Sequence, residues 1–418
     1  MRRRIGLSTL LLLIVLAGPA GATPGALDSS FSGNGIQTIF TGGATAQAVA
    51  IDAQDRILVA GYTFGANPDV AVARLRPGGA LDGSFSGDGR VRIDLGAADR
   101  ALDITAAPDG KIVVVGQRNT ASGARWFVLR LRSGGVRDDA FGGDGVIFTD
   151  FSRRFEHATA VAIQSNGKIL VAGSVSNGTT ENWAFARYLS GGALDHSFGD
   201  DGRVTMSLSA TGEQVQDLVV RSTAILAGGY AESAYLPRFA VAKLHLDGSR
   251  VRPFGRRGVK LVNLGPGADS AYGLAVQADG KPVLAGYASH DGRADWGVVR
   301  LHAGGGTDGS FGGDGVVTTA FTSAYELASA VAMQPDGRIL VAGKARGPSG
   351  TDDLAVVRYR TDGGLNRSFS GNGRALFNPF GGDDAARDIV VHDGRIIVVG
   401  DAMQHLVPRM VVLRLRMS

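Results

Sequence analysis

One nine-residue phrase, Leu81–Gly89 (LDGSFSGDG), returns along the whole chain. Its phenylalanine sets a period through Phe31, Phe85, Phe141, Phe198, Phe254, Phe311 and Phe369, spaced by 54 to 58 residues. A second marker keeps the same count, the glycine closing each VAG-like run: Gly61, Gly116, Gly173, Gly228, Gly286, Gly343 and Gly400. A unit of this size cannot bury its apolar face alone, so seven copies must stack on one another.

Within a copy, short runs alternate apolar with small or polar residues, the period of half-buried strands. Around the second copy they are Arg90–Asp94, Ala101–Ala106, Lys111–Gly116 and Trp126–Leu131. Pro108-Asp109-Gly110 separates the middle pair, with Ser165-Asn166-Gly167, Ala278-Asp279-Gly280, Pro335-Asp336-Gly337 and His392-Asp393-Gly394 at equivalent places. Asp-Gly and Asn-Gly supply the positive φ values that a tight hairpin requires.

The expected fold is all-β: a seven-bladed β-propeller of four-stranded antiparallel blades, which removes long exposed edges. Its inner strand is expected to be the alanine-rich one, where blades crowd, as in Ala158, Ala160, Ala162 and Ala328, Ala330, Ala332. The strand Ile36–Phe40 lacks a blade and the last run, Met410–Leu415, lacks an outer neighbour. They are expected to pair, one strand from the start joining three from the end. A linear solenoid would leave two open edges.

Residues 1–22 read as a secretion signal: Arg2, Arg3 and Arg4, an apolar run from Leu7 to Leu16, and Ala20-Gly21-Ala22 as the cleavage site. The expected organisation is a signal over 1–22, a short leader over 23–26, and one propeller over 27–418. The apolar run is shorter than the roughly 20 residues of a spanning helix, and no later stretch approaches it, so no membrane span is expected. The chain has no cysteine, which suits an exported bacterial protein, periplasmic or extracellular, stabilised by burial. Its formal charge of +4 includes the three arginines of the signal, and the remainder is near neutral, which gives no general case for nucleic acid. The mature chain is expected to be a monomer.

The LDxSFGxDG turn, the hairpin typified by Ala330–Gly343 (AVAMQPDGRILVAG) and the AVxRL strand together resemble the delta-60 repeat family. The resemblance runs from Leu27 to Leu415. It implies a secreted bacterial propeller-like fold and carries over no catalytic residue.

Two recurring positions are candidates for a role. Each third-strand run carries a cation: Arg74, Arg130, Arg187, Lys243, Arg300, Arg358 and Arg414. Three residues before the marker Phe stands Asp28, Asp82, Asp138, Asp195 or Asp308, with Val251 after Lys243 and Asn366 after Arg358. The expected role is structural, a bidentate Arg–Asp pair tying strand to turn, which lysine cannot imitate. A polyanion-binding ring of the seven cations is the weaker reading, because they alternate with apolar residues.

The second position lies five residues before the first large apolar residue of each inner strand. It gives Asp99, Glu156, Glu213, Asp269, Glu326 and Asp384, while the first copy has Ala44. Each carboxylate is expected to accept backbone N–H groups in its own turn. The alternative is a ring at the channel mouth that holds Ca²⁺ or Mg²⁺ through oxygen ligands. The Gly-Asp-Gly turns lack the ligand spacing of an EF-hand and read as tight turns.

The connections between second and third strands vary from copy to copy, from TFGANPD to AMQHLVPR, and should emerge on the same face as the six carboxylates. That face is the expected binding surface, since loops on a rigid scaffold carry function. Trp126, Trp183 and Trp296 open third strands just after these loops and read as partly buried packing. The fourth copy departs most, with a basic cluster of Arg250, Arg252, Arg256, Arg257 and Lys260 on the opposite face, read as a solvated rim or an anionic-partner patch.

No HExxH or GxSxG context exists, and the seven histidines are scattered. The reading is a secreted, non-catalytic module that binds a protein, a glycan or a cell surface, with no cofactor. The alternative is a metal-dependent hydrolase or lyase at the channel, with His157 beside Glu156 as acid or base.

Overall fold

The computed structural model describes residues 23–40, 42–151, 155–176, 178–322 and 324–417. The expected secretion signal lies outside the described residues. Among them there are 28 strands and no helix. The strands fall into antiparallel groups of four in sequence order, and two of these groups join through a single parallel bridge, Phe155 to Ala124.

The first strands of successive groups are Ala44–Ile51, Ala98–Ala106, Phe155–Ile163, Glu213–Val220, Asp269–Val276, Leu327–Met333 and Asp384–His392. Each neighbours the next, and the last also neighbours the first. Small residues permit this closeness: a Cβ added at Gly273 would sit 2.8 Å from Ala330 Cα on the neighbouring sheet. The final group contains Asp384–His392, Arg395–Gln404, Val407–Arg416 and, as its fourth strand, Ile36–Thr38. In that pairing Ile36 lies opposite Leu413, Gln37 opposite Val412 and Thr38 opposite Val411. The core is one apolar layer between each pair of sheets, and the marker phenylalanines are buried within it.

Every first strand carries a β-bulge at one place, between Ala46 and Ala48, Ala101 and Asp103, Ala158 and Ala160, Val215 and Asp217, Ala271 and Gly273, Ala328 and Ala330, and Ala386 and Asp388. A bulge re-aims the extra residue and leaves it unpaired. Here it turns a carbonyl onto the second strand. A Cβ on the facing glycine would lie about 2 Å from that oxygen at Gly61, Gly116, Gly173, Gly229, Gly286, Gly343 and Gly400. The fourth marker is therefore Gly229, not Gly228. Two glycines stand together there, and spacing could not tell which one faces the bulge.

The variable connections also differ from the expected loops. The second strand of the second sheet runs on to Thr120 and the third begins at Gly123. Backbone pairing continues through polar residues after the apolar alternation has ended, so several of these connections are hairpins projecting from one face. Four turn on just two residues, Ala121-Ser122, Ala234-Tyr235, Asp291-Gly292 and His405-Leu406.

The Arg–Asp pairs form, with a different geometry from the expected fork. Arg187 Nε meets Asp195 Oδ2 at 2.6 Å, Nη2 reaches Ser197 Oγ at 2.9 Å, and Nη1 donates to the Leu246 carbonyl in the next repeat. The other carboxylate oxygen of Asp195 accepts from Ser197 N and Oγ. Arg74–Asp82, Arg130–Asp138, Arg300–Asp308 and Arg414–Asp28 repeat the Nε contact at 2.8 to 3.1 Å. One carboxylate oxygen is occupied by its own turn, so the bidentate fork gives way to a three-way clasp. Arg358 keeps the bond to Ser368 and the carbonyl of Met417, with Asn366 replacing the acid. Each of the seven cations also lies over its marker phenylalanine ring, at 4.5 to 5.7 Å from the centroid.

Candidate functional site

The bulged residues Gln47, Leu102, Thr159, Gln216, Tyr272, Ser329 and Arg387 line a central cavity of about 100 Å³. Seven groups of four strands thus each give one residue to a common cavity. Polar groups dominate its wall, and two of them bond to side chains beyond it. Arg387 Nε donates to Asp401 Oδ1 at 2.8 Å, and Thr45 Oγ1 donates to the same oxygen at 2.9 Å. Gln216 donates to Gln214, which in turn donates to Glu181 at 3.0 Å. His157 Nε2 lies 3.6 Å from Glu181 Oε1.

The histidine therefore has Glu181 for a neighbour and not Glu156, whose Oε1 accepts from Phe151 N at 2.8 Å. Successive residues of a strand point to opposite sides, so His157 and Glu156 cannot serve one site. Burial pushes the His157 imidazole down to about 4 and raises the Glu181 carboxyl. Because the ring is neutral near pH 7, the 3.6 Å approach is no ion pair there.

The six carboxylates stand where each first strand begins and are all buried. Asp99 accepts from Leu95 N at 2.7 Å, and Glu213 from Leu208 N at 2.7 Å and Ser209 N at 2.5 Å. Asp269 accepts from Leu264 N at 2.9 Å and Arg238 at 3.2 Å, and Glu326 from Phe321 N and Thr322 N, both at 2.7 Å. Together with Glu156, these four serve the crossover arriving from the preceding sheet. Asp384 instead accepts from Met403 N, 2.9 Å away on the adjacent strand. Desolvation raises Asp99, Glu213, Asp269, Glu326 and Asp384, the last to about 7. The structure does not gather the six at one point. Among the described residues no group of three or more His, Asp or Glu is placed to hold a metal ion.

A different carboxylate set faces the lumen. Asp103, Asp217 and Asp388 follow the bulge on the second, fourth and seventh sheets. Each spends one oxygen on the next N–H of its own strand, at 2.6 to 2.7 Å. The other oxygen reaches the following sheet: Asp103 takes Val161 N at 2.7 Å, Asp217 Leu274 N at 2.6 Å and Asp388 Val49 N at 2.8 Å. The receiving sheets have Ala160, Gly273 and Ala48 at the same level, so no two adjacent sheets both carry the acid. Burial and mutual repulsion push Asp103 well up, and burial brings Asp217 to about 7 and Asp388 to about 6. A sequence signal for them exists, an Asp directly before the apolar marker, but three copies of seven are too few to stand out as a repeated position.

Aromatic groups lead outward from the lumen. The Tyr272 and Tyr287 rings lie 6.2 Å apart and Tyr287 and Tyr325 5.7 Å apart, the last being half exposed. Trp126, Trp183 and Trp296 take no part in this surface. They are wholly buried, deeper than the partial burial expected, and Trp296 Nε1 donates to the Lys344 carbonyl of the next sheet at 3.1 Å.

The face around the lumen carries most of the exposed large apolar side chains. Phe64, Phe155, Tyr235, Tyr325, Leu406 and Val407 all lie on its hairpins or crossovers. Tyr235 is 86% exposed with φ +68°, and Leu406 is 91% exposed with φ +64°. Their partners in the turn, Ala234 and His405, also have positive φ. Two left-handed residues in succession suit Asn-Gly, so these bulky residues hold a strained backbone to present an apolar tip to water.

Five segments, 55–85, 107–141, 164–198, 277–311 and 334–369, match the family described as a domain of unknown function (DUF5122) beta-propeller. With the four-stranded antiparallel sheets, these matches make the chain a β-propeller repeat protein. No match to a curated protein is found. A catalytically inactive virginiamycin B lyase from Staphylococcus aureus, solved with quinupristin, is similar in structure at 11% identity, with a TM-score of 0.52 over 90% of this chain and 98% of its own. The polysaccharide lyase Uly1 is similar at 10% identity, with a TM-score of 0.51 over 89% of this chain and 90% of its own. Likeness at such identity speaks of fold alone.

Proposed function

We propose that this chain is an exported, non-catalytic binding module. Its delta-60-like repeats form a seven-bladed ring closed by one strand from the start and three from the end, and it engages a protein or glycan through the face around the lumen. Ring closure is supported by the pairing of Ile36–Thr38 with Val407–Arg416 and by the neighbouring of the first and last inner strands. Export is supported by the composition of residues 1–22. The observation that carries the binding role is the pair of exposed hairpin tips, Tyr235 and Leu406, kept in a left-handed conformation that costs a bulky residue about 1 kcal/mol. Such strain is retained where contact rewards it.

The six carboxylates weighed as a metal ring act instead as struts. Asp99, Glu156, Glu213, Asp269 and Glu326 hold the crossovers that frame this face and Asp384 holds the adjacent strand, which supports a structural role for them.

The test replaces both tips by Asn-Gly, at Ala234-Tyr235 and at His405-Leu406. Relief of strain is expected to raise the melting temperature, while retention of solubilised envelope material from the producing cell falls at least tenfold relative to the parent protein. A variant that gains stability and retains the same material equally well would refute the role of this face.

A further inference from the structure

On the opposite face, the fourth sheet breaks the charge pattern of the repeat. In the third sheet, the turn between third and fourth strands reads Gly199-Asp200-Asp201-Gly202, and Asp201 pairs with Arg203 at 2.5 Å. The fourth sheet has Gly255-Arg256-Arg257-Gly258 in that place, and Val251 where five other turns carry the clasp aspartate. The three acidic positions of the third sheet, Asp195, Asp200 and Asp201, thus have no acidic counterpart as Arg250, Arg252, Arg256, Arg257 and Lys260 gather. Arg250 reaches only the Ser207 carbonyl, at 3.4 Å, and none of the five forms an ion pair among the described residues. Arg252, Arg256 and Arg257 are exposed. The nearby Asp247 is engaged by Ser249 N and Oγ, at 2.8 and 2.7 Å.

These cations surround two adjoining open grooves of about 770 and 820 Å³, and Arg250 and Arg257 line both. We propose that this double groove is a binding site for an acidic polysaccharide, whose sulfate or carboxylate groups the guanidinium forks engage one after another.

Three features select that chemistry. Four of the five cations are arginine, the side chain that grips carboxylate and sulfate-like groups through paired N–H donors. Two grooves sharing a wall suit a linear chain with repeated charge, whereas an anionic bilayer would meet a flat or convex patch. Neither groove is lined by Phe, Tyr or Trp, so the stacking platform on which single-stranded nucleic acid relies is missing. The small residues Gly304, Gly305 and Gly306 leave one wall free of side chains that would narrow it. This site includes neither Tyr235 nor Leu406 and does not depend on them.

The experiment uses the full mature chain and measures binding to dextran sulfate, polygalacturonate, neutral dextran, oligo(dT) and phosphatidylglycerol vesicles by calorimetry and co-sedimentation. The variant R256D/R257D restores the residues of the third sheet, and R132D/R137D makes the same charge change on another turn. The expected result is binding of at least one acidic glycan, with log affinity falling linearly in log salt as counterions are released. The binding should weaken about tenfold or more in R256D/R257D, with the control unchanged and both melting temperatures near the parent value. Equal binding by both variants, binding of neither acidic glycan, or tighter binding of oligo(dT) or vesicles would each overturn the proposal.

Discussion

Replacing Gly229 by alanine tests whether the bulge and its facing glycine organise the sheets. The added Cβ would lie 2.0 Å from the Gln214 carbonyl oxygen and 2.9 Å from Val215 Cα. An ordinary contact needs that carbonyl to retreat by more than about 1 Å. Backbone moves in a packed interior cost about 1–3 kcal/mol and sometimes more, while reduced freedom of the unfolded chain returns about 0.4–1 kcal/mol. A net loss of about 2–2.6 kcal/mol follows at the upper end of that range. Adjacent Gly228 is the control, because its Cβ would meet only side-chain carbons, Leu274 Cβ at 3.0 Å and Leu284 Cδ2 at 3.4 Å. Gly228→Ala should cost less than about 1.5 kcal/mol. A chain of 418 residues has an unfolding entropy of about 0.9 kcal/mol/K, so the two melting temperatures should fall by about 2–3 °C and by less than about 2 °C respectively. Calorimetry together with urea unfolding of both variants gives the comparison. If Gly229→Ala proves no less stable than Gly228→Ala, the bulge carbonyl is not the constraint claimed here.

Two further predictions concern charge. Arg187→Lys keeps the cation but not the three directions of contact with Asp195, Ser197 and the Leu246 carbonyl. Urea unfolding should show a loss of about 2 kcal/mol, and a neutral substitution would reduce the clasp to a single ion pair. The second follows from Asp217 and Asp384, each raised to about 7, and Asp388, raised to about 6. Carboxyls raised on folding hold their protons more tightly in the native state. Their contribution is therefore complete below the unfolded value of about 4 and is lost as pH climbs through about 6 to 7. Lowering pH from about 8 to about 5 should stabilise the protein by about 2 kcal/mol, taking half of the full linkage for solvent screening and subtracting the opposing cost at His157, whose imidazole is held down to about 4 and so stays neutral in the fold while the unfolded ring takes up a proton. The lowered aspartates of the clasps, such as Asp195 and Asp308, oppose this only below about pH 4, where their stabilisation is lost. A melting temperature that is flat or rising from about pH 5 to about pH 8 would contradict the raised values.

Why some of this was legible in the sequence and some was not comes down to how many copies repeat a constraint. The strand pattern, the Phe markers and the Arg–Asp pairing recur in nearly every unit, because each solves the same packing problem wherever a sheet meets its neighbour. What makes one copy unlike its siblings is invisible to that argument. Asp103, Asp217 and Asp388 occupy three of seven equivalent positions, and their reach to Val161, Leu274 and Val49 appears only when the next sheet is in place. Glu181 approaches His157 from well along the chain, whereas sequence reasoning paired the histidine with the carboxylate beside it. The hairpin tips were hidden for another reason: Ala-Tyr and His-Leu are poor formers of a two-residue turn, so local propensity argued for a loop, and the ladder beneath them overrode it. The repeated positions thus hold the protein together, and the departures from the repeat, Tyr235, Leu406 and the arginines around Gly255, are where its surface differs from a mere scaffold.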